Sequence, residues 1–238
     1  MNPETMRNRL LQALPPADLE PLLPHFERVE VRKGDVLWTV GQPLAFAYFP
    51  EGGLSSNLAV TGDGRRVEVG CFGREGMVST ATVLGSDRAA HELLVQVGGP
   101  WLRIGAETLR NAMHDSPALH DLMLRYAHFL MMTLSQTALS NGAQTIEERL
   151  ARWILMVHDR IEGDELPLTH EFLSLMLATR RPSVTLATQV IEGYGAIRAK
   201  RGLIVVRDRA MLRDLAGQCY GPAEAEYERL IGPFRSQP

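Results

Sequence analysis

Pro182 stands between two apolar-periodic runs, THEFLSLMLA at 169–178 and the stretch that opens inside TRRPSVTLATQVI at 179–191. Proline has no backbone N–H and a fixed φ, so it is tolerated in the first turn of a helix and disruptive inside one. Two helices are therefore expected, joined by a turn at Ala178-Thr179-Arg180. Thr169 is suited to cap the first, whose inward face is Phe172, Leu173, Met176 and Leu177. The second is expected to bury Val184, Ala187, Val190 and Ile191. Its solvent side and exposed N-terminus then carry Arg180, Arg181, Ser183, Thr185, Thr188 and Gln189.

This is the arrangement that a helix-turn-helix reader of double-stranded DNA requires, because the second helix enters the major groove by its N-terminal residues. Arginine can grip O6 and N7 of guanine with two hydrogen bonds. A helix N-terminus with short hydroxyl side chains suits phosphate oxygens. After the EGYG stop, IRAKRGLIVV (197–206) reads as a small hairpin turning through Lys200-Arg201-Gly202, which would make the module a winged helix-turn-helix. RAMLRDLAGQCY follows as a last short helix. Charge agrees: residues 179–213 hold eight basic and two acidic side chains, +6, against −3 for the whole chain, so the remainder carries −9. A basic module on an acidic body suggests a localised docking face.

Upstream the texture differs. Residues 8–27 space leucines as a helix does, with prolines interrupting. From Val29 to Ile104, short β-branched and aromatic runs (VEVRKGDVLW, AFAYFP, SSNLAV, RRVEVGCF, LLVQVG) alternate with glycine-bearing turns, the pattern of an antiparallel sandwich or barrel. TGDGRR at 61–66 is the clearest hairpin tip. Residues 117–140 form a long apolar-rich helix with Pro117 near its start. Leu119, Leu122, Tyr126, Phe129 and Thr133 trace one stripe; Met123, Leu130, Leu134 and Ala138 trace another. A helix apolar on more than one face needs two partners; the β domain and a second chain would supply them. Asn141-Gly142 is expected to break this helix, and Thr145 with Glu148 has capping-box spacing for the next one, which runs to Ile161.

The 45% apolar and 22% charged fractions are those of a soluble globular protein. Two distant cysteines, Cys71 and Cys219, argue against a disulfide framework or zinc finger, and the seven histidines form no metal-site spacing. The start MNPETMRNRL lacks a signal pattern and no apolar run approaches membrane-spanning length, so a cytoplasmic protein without a membrane partner is expected.

The order of β domain, long helix and winged helix-turn-helix resembles the cyclic-AMP receptor protein and fumarate–nitrate regulator (CRP/FNR) family of bacterial transcription regulators, over roughly residues 10–215. The likeness is most specific in LTHEFLSLMLATRRPSVTLATQVIEGYGAIRAKRGLIVV. It implies an α+β fold: an N-terminal antiparallel β-roll of the cyclic-nucleotide-binding-like, jelly-roll type over 1–116, a dimerisation helix over 117–141, a winged helix-turn-helix over 142–215 and a C-terminal extension over 216–238. It implies a homodimer acting on inverted-repeat DNA, with RNA polymerase as a further partner and no enzymatic activity. The DNA-binding set is Thr169, His170, Arg180, Arg181, Ser183, Thr185, Gln189, Lys200 and Arg201, with Arg181 at a base-reading position. Pro182 and Leu186 replace two polar reading residues of the cyclic-AMP receptor protein, so the preferred operator should differ.

The family's ligand motif falls on GMVSTATVLGSDRAA (76–90), giving an effector set of Gly76, Met77, Arg88 and Ala89, with Leu130, Leu134 and Ser135 from the long helix. Met77 replaces a ribose-binding glutamate and Ala89 lacks a phosphate-binding hydroxyl. Each buried polar ligand group left unpaired costs about 1–3 kcal/mol, so a cyclic nucleotide is not expected as the effector. The iron–sulfur branch needs an N-terminal cysteine cluster, which this chain lacks. Cys71 is read as a small buried hydrophobe. Two other classes compete: a small-molecule-sensing signalling module acting through protein contacts, and a β-barrel enzyme, for which only His91 is available between Val29 and Ile104.

Overall fold

A computed structural model describes residues 5–235 of the chain. The proline-rich start breaks into α1 (Arg9–Gln12), α2 (Pro16–Leu19) and a 3-10 turn at Glu20–His25, the interrupted helical run that its sequence predicts. Prolines at 15, 16, 21 and 24 explain the fragmentation, since each removes a backbone donor. Seven strands follow: β1 (Glu27–Val31), β2 (Val36–Trp38), β3 (Phe46–Pro50), β4 (Leu54–Val60), β5 (Arg66–Phe72), β6 (Glu92–Val97) and β7 (Gly99–Gly105), with the short α3 (Thr80–Val83) between β5 and β6. They form two antiparallel sheets, ordered β1-β7-β3 and β2-β6-β4-β5. The β4–β5 hairpin turns through Thr61 to Arg65 with Gly64 at φ +82°, as TGDGRR predicts.

Strand β7 is missing from the sequence expectation because Gly98-Gly99-Pro100 looks like a turn. It is nevertheless the central strand of its sheet, pairing Val29 with Trp101 on one side and Tyr48 with Arg103 on the other. The glycines serve a close crossing of main chains: a Cβ on Gly98 would stand 2.7 Å from the Val31 carbonyl oxygen, and one on Gly53 2.3 Å from that of Val97.

Helix α4 (Ala106–Asp115) leads into α5 (Pro117–Ala143), 27 residues long and so about 40 Å. The Ser116 side chain caps α5 by accepting from Leu119 N–H. The helix ends at Ala143, one residue past the expected Asn141-Gly142 break, with the Gln144 amide N–H bonded to the Ser140 carbonyl. Next come α6 (Ile146–His158), opened by the expected capping box of Thr145 and Glu148, and β8 (Glu165–Leu166). The rest is α7 (His170–Met176), α8 (Arg181–Gly193), β9 (Ile197–Lys200), β10 (Leu203–Val206), α9 (Arg209–Ala216) and α10 (Pro222–Leu230). β10 pairs with both β8 and β9 in a small three-stranded sheet.

The winged region does not stand apart from the roll. Leu54, Leu58 and Cys71 of the roll share one buried cluster with Leu150, Trp153, Met176 and Val184. At that junction the buried Glu68 accepts hydrogen bonds from Trp153 Nε1 (2.8 Å), Gln96 Nε2 (3.0 Å) and the Ser56 hydroxyl. A second junction joins Glu75 to Arg160, both at most 1% exposed, through Nε–Oε1 at 2.8 Å. Glu75 also accepts from Gly73 N–H, and Arg160 donates to the Met156 carbonyl at 2.7 Å.

The chain beyond α9 is a strap over α5 and the N-terminal segment. Tyr227 of α10 is stacked edge-on between Phe129 (5.0 Å) and Phe234 (5.1 Å), and its hydroxyl donates to the Glu75 carbonyl at 2.6 Å. A helix start was legible there, since Gly221 precedes PAEAEYERL, which opens on Pro222 and sets Ala223 and Tyr227 four apart. Among the described residues, no helix is long and apolar enough to cross a membrane.

Candidate functional site

The helix-turn-helix is α7 and α8 with a turn at Ala178, which takes a left-handed φ of +46°. Thr169 caps α7 by accepting from Phe172 N–H at 3.2 Å. Arg180 is the extended residue before α8 and Pro182 lies in its first turn, so the proline opens a second helix. Val184, Ala187 and Ile191 are buried, as expected. Val190 and Thr188 exchange roles: Val190 is 42% exposed, whereas Thr188 is 2% exposed with its hydroxyl bonded to the Val184 carbonyl at 2.8 Å. The buried stripe is 184, 187, 188, 191, the helical spacing i, i+3, i+4, i+7; the expectation had weighed hydrophobicity over that spacing.

The nine predicted DNA-binding residues fall into three groups. Arg181, Thr185 and Gln189 occupy successive turns of one side of α8, and Thr185 and His170 are joined through Oγ1–Nδ1 at 3.0 Å. Leu186, 63% exposed, lies beside Gln189 on this face. Thr169, Arg180 and Ser183 instead line a wide cleft of about 910 Å³ whose far wall includes Lys33 and Arg66 of the β-roll. Lys200 and Arg201 are exposed at the wing tip, which turns through Gly202 at φ +73° beside Thr169.

One acidic residue enters the site that sequence reasoning missed. Glu171, at the start of α7, accepts from Arg181 Nη2 at 3.0 Å, both side chains being largely exposed. Its position two after the cap residue was the available signal, because carboxylates favour the first turn of a helix. The pair holds the Arg181 guanidinium beside the α8 N-terminus, and binding to DNA would exchange one oxygen partner for another. The basic count also needs trimming: Arg209 is committed to Asp159 and the Tyr220 hydroxyl.

The predicted effector residues do not converge. Ala89, Leu130 and Leu134 line a cavity of about 240 Å³ between the roll and α5; Gly76, Met77, Arg88 and Ser135 do not. Gly76 lies under the Tyr126 ring, where any Cβ would sit 2.1 Å from ring atoms, and Tyr126 donates to the Met77 carbonyl at 2.9 Å. Met77 is fully buried packing. Arg88 is exposed and donates to the Gly41 carbonyl at 3.0 Å, while the Ser135 hydroxyl bonds the Met131 carbonyl. The remaining walls include Trp38, Phe72, Ala81, Ala127 and Met131, with Thr80, Asn57 and His91 as polar members. Burial lowers the His91 pKa, so the imidazole there is neutral at physiological pH. Cys71 is also on the wall; burial pushes its thiol up to about 12. Among the described residues, no group of three or more His, Cys, Asp or Glu is placed to hold a metal.

Residues 148–215 match the family model of the Crp-like helix-turn-helix domain. Solved structures similar to the chain include FixK2 from Bradyrhizobium japonicum (TM-score 0.70, 16% identity, covering 81% of this chain and 98% of that one). The c-di-GMP responsive global regulator CLP of Xanthomonas campestris is also similar (TM-score 0.66, 17% identity, covering 81% and 99%). A third is a CRP-family transcriptional regulator from Thermus thermophilus (TM-score 0.67, 17% identity, covering 80% and 97%). No curated protein sequence matches the chain. At these identities the likeness is one of fold, and it is the fold expected from the sequence.

Proposed function

We propose that this chain, which has the CRP/FNR regulator fold with a Crp-like helix-turn-helix domain, is a homodimeric, sequence-specific transcription regulator whose β-roll senses a small molecule. The observation that carries the reading is the outward face of α8. Arg181, Thr185 and Gln189 stand on one side of a helix that is buried on the other, with Lys200 and Arg201 exposed on the adjacent wing. Arg181 is the guanine-reading candidate, and Leu186 offers an apolar contact suited to a thymine methyl. Thr169, His170, Arg180, Ser183 and the wing pair are the phosphate-positioning set.

Dimerisation through α5 is supported by Leu124, Met131, Leu134 and Leu139, which remain 43–64% exposed along that helix. Side-by-side α5 helices would set two winged domains for half-sites about one DNA turn apart. RNA polymerase is the partner through which such a protein would act.

The test is selection of bound DNA from a random pool, with and without cell metabolite extract. An inverted repeat should be enriched, with affinity falling steeply as salt rises. Tight small-molecule binding without any DNA preference would instead favour a signalling module acting through protein contacts.

A further inference from the structure

The cavity between the roll and α5 has a composition that defines its occupant. None of its lining residues is an Asp, Glu, Lys or Arg. Its walls are mostly the Trp38 and Phe72 rings with aliphatic and alanine side chains, beside the uncharged polar side chains of Asn57, Ser79, Thr80, His91 and Thr133, and its volume of about 240 Å³ exceeds the ~150 Å³ of an apolar cavity that accepts benzene. A phosphate or carboxylate buried here would meet no countercharge, and an unpaired buried ion is strongly disfavoured. The cavity is still not featureless. Thr80 belongs to its wall, and the Thr80 hydroxyl is buried without a hydrogen-bond partner. Buried hydroxyls are normally paired, so one hydrogen-bonding group on a ligand would complete it. The neighbouring Ser79 hydroxyl and the Thr133 hydroxyl are bonded to main-chain carbonyls.

We infer that this cavity binds an uncharged, largely apolar small molecule, of the size of a two-ring aromatic, that carries a single hydroxyl or carbonyl group facing Thr80. The inference deepens the sensory reading of the β-roll and rests on it. It also gives the ligand a route to the DNA: the cavity wall includes Met131 and Leu134, 64% and 43% exposed on the α5 face assigned to the second subunit. An occupant would press on residues that meet the partner helix.

The experiment is isothermal titration calorimetry of the full chain with 1-naphthol, with its anionic counterpart 1-naphthoate, and with cyclic AMP. The expected result is one 1-naphthol per chain, bound at least roughly tenfold more tightly than 1-naphthoate because the carboxylate must be desolvated, and no measurable cyclic AMP. Ala127→Phe, which fills the cavity from α5, should abolish 1-naphthol binding; Thr80→Val, nearly isosteric, should weaken it about fivefold. If Ala127→Phe does not fold, Thr80→Val decides. Absence of 1-naphthol binding, equal or tighter binding of either anion, or unchanged affinity in Thr80→Val overturns the inference. The same preparation is assayed on the selected DNA: specific DNA binding without 1-naphthol binding sinks the ligand class alone. Binding of 1-naphthol by a protein with no DNA preference sinks the regulator reading and leaves the cavity assignment standing.

Discussion

Replacing Arg160 by Met tests how the winged region is held to the roll. Arg160 and Glu75 are 1% and 0% exposed, and their Nε–Oε1 bond spans the junction at 2.8 Å. Met keeps much of the aliphatic stem, which passes so near Gly73 that a Cβ there would come within 2.8 Å of Arg160 Cβ. The loss therefore reports the charge rather than packing. Glu75 would remain buried with Gly73 N–H as its donor, and the Met156 carbonyl would lose the guanidinium. Removing one partner of such a pair costs about 3–5 kcal/mol. For a chain of this size each kcal/mol lowers Tm by about 2–4 °C, so a fall of roughly 6–20 °C is expected by differential scanning calorimetry. Glu75→Gln in the same chain should recover most of it, because a neutral pair of similar volume carries no unpaired charge. Chemical denaturation of the parent protein, Arg160→Met, Glu75→Gln and the double variant gives the coupling energy. A single variant within about 1 kcal/mol of the parent protein, or a double variant no better than the single, would refute this account of the junction.

Four further outcomes follow from contacts elsewhere in the fold. Glu68 is buried, and desolvation raises its pKa against the opposing hydrogen bonds from Ser56, Trp153 and Gln96. A raised carboxyl pKa means that its contribution is present below about pH 4 and lost as pH rises through the folded-state value. Glu68→Gln should therefore gain stability over the parent with increasing pH in urea titrations, and Gln96 Oε1, buried without a partner, can turn to accept the new amide; a pH-independent difference would contradict this. Glu171→Gln frees Arg181 and removes a carboxylate from the DNA face, so affinity for selected DNA should rise about two- to fivefold in fluorescence anisotropy. Tyr227→Ala empties the aromatic stack of the C-terminal strap and should cost about 3–5 kcal/mol by denaturation. Met131→Glu places a charge on the proposed dimer face and should yield a monomer in sedimentation velocity while leaving the helical circular dichroism unchanged.

The parts legible in the sequence were those with local causes. Pro182 and the Thr169 cap announce a helix-turn-helix within two turns of chain, and the Thr145–Glu148 capping box is likewise a contact across three residues. What escaped depends on partners far along the chain. β7 looks like a turn until Gly52 and Gly53 are brought against Gly98 and Gly99. Glu68 and Trp153, 85 positions apart, meet only once the domains dock. The setting of Gly76 and Met77 was hidden for a related reason: both pack against Tyr126 across the fold, a contact that their register in a ligand motif does not reveal.

The central claim is that α8 reads DNA through its N-terminal arginines, and its most direct test is the affinity of the full chain for DNA selected from a random pool, measured beside Arg180→Ala/Arg181→Ala. The account predicts that the parent protein enriches an inverted repeat and that the double variant, with its fold intact by circular dichroism, loses specific binding to that repeat. Failure of the parent protein to prefer any selected fragment over random DNA, or unchanged affinity in the double variant, would contradict it.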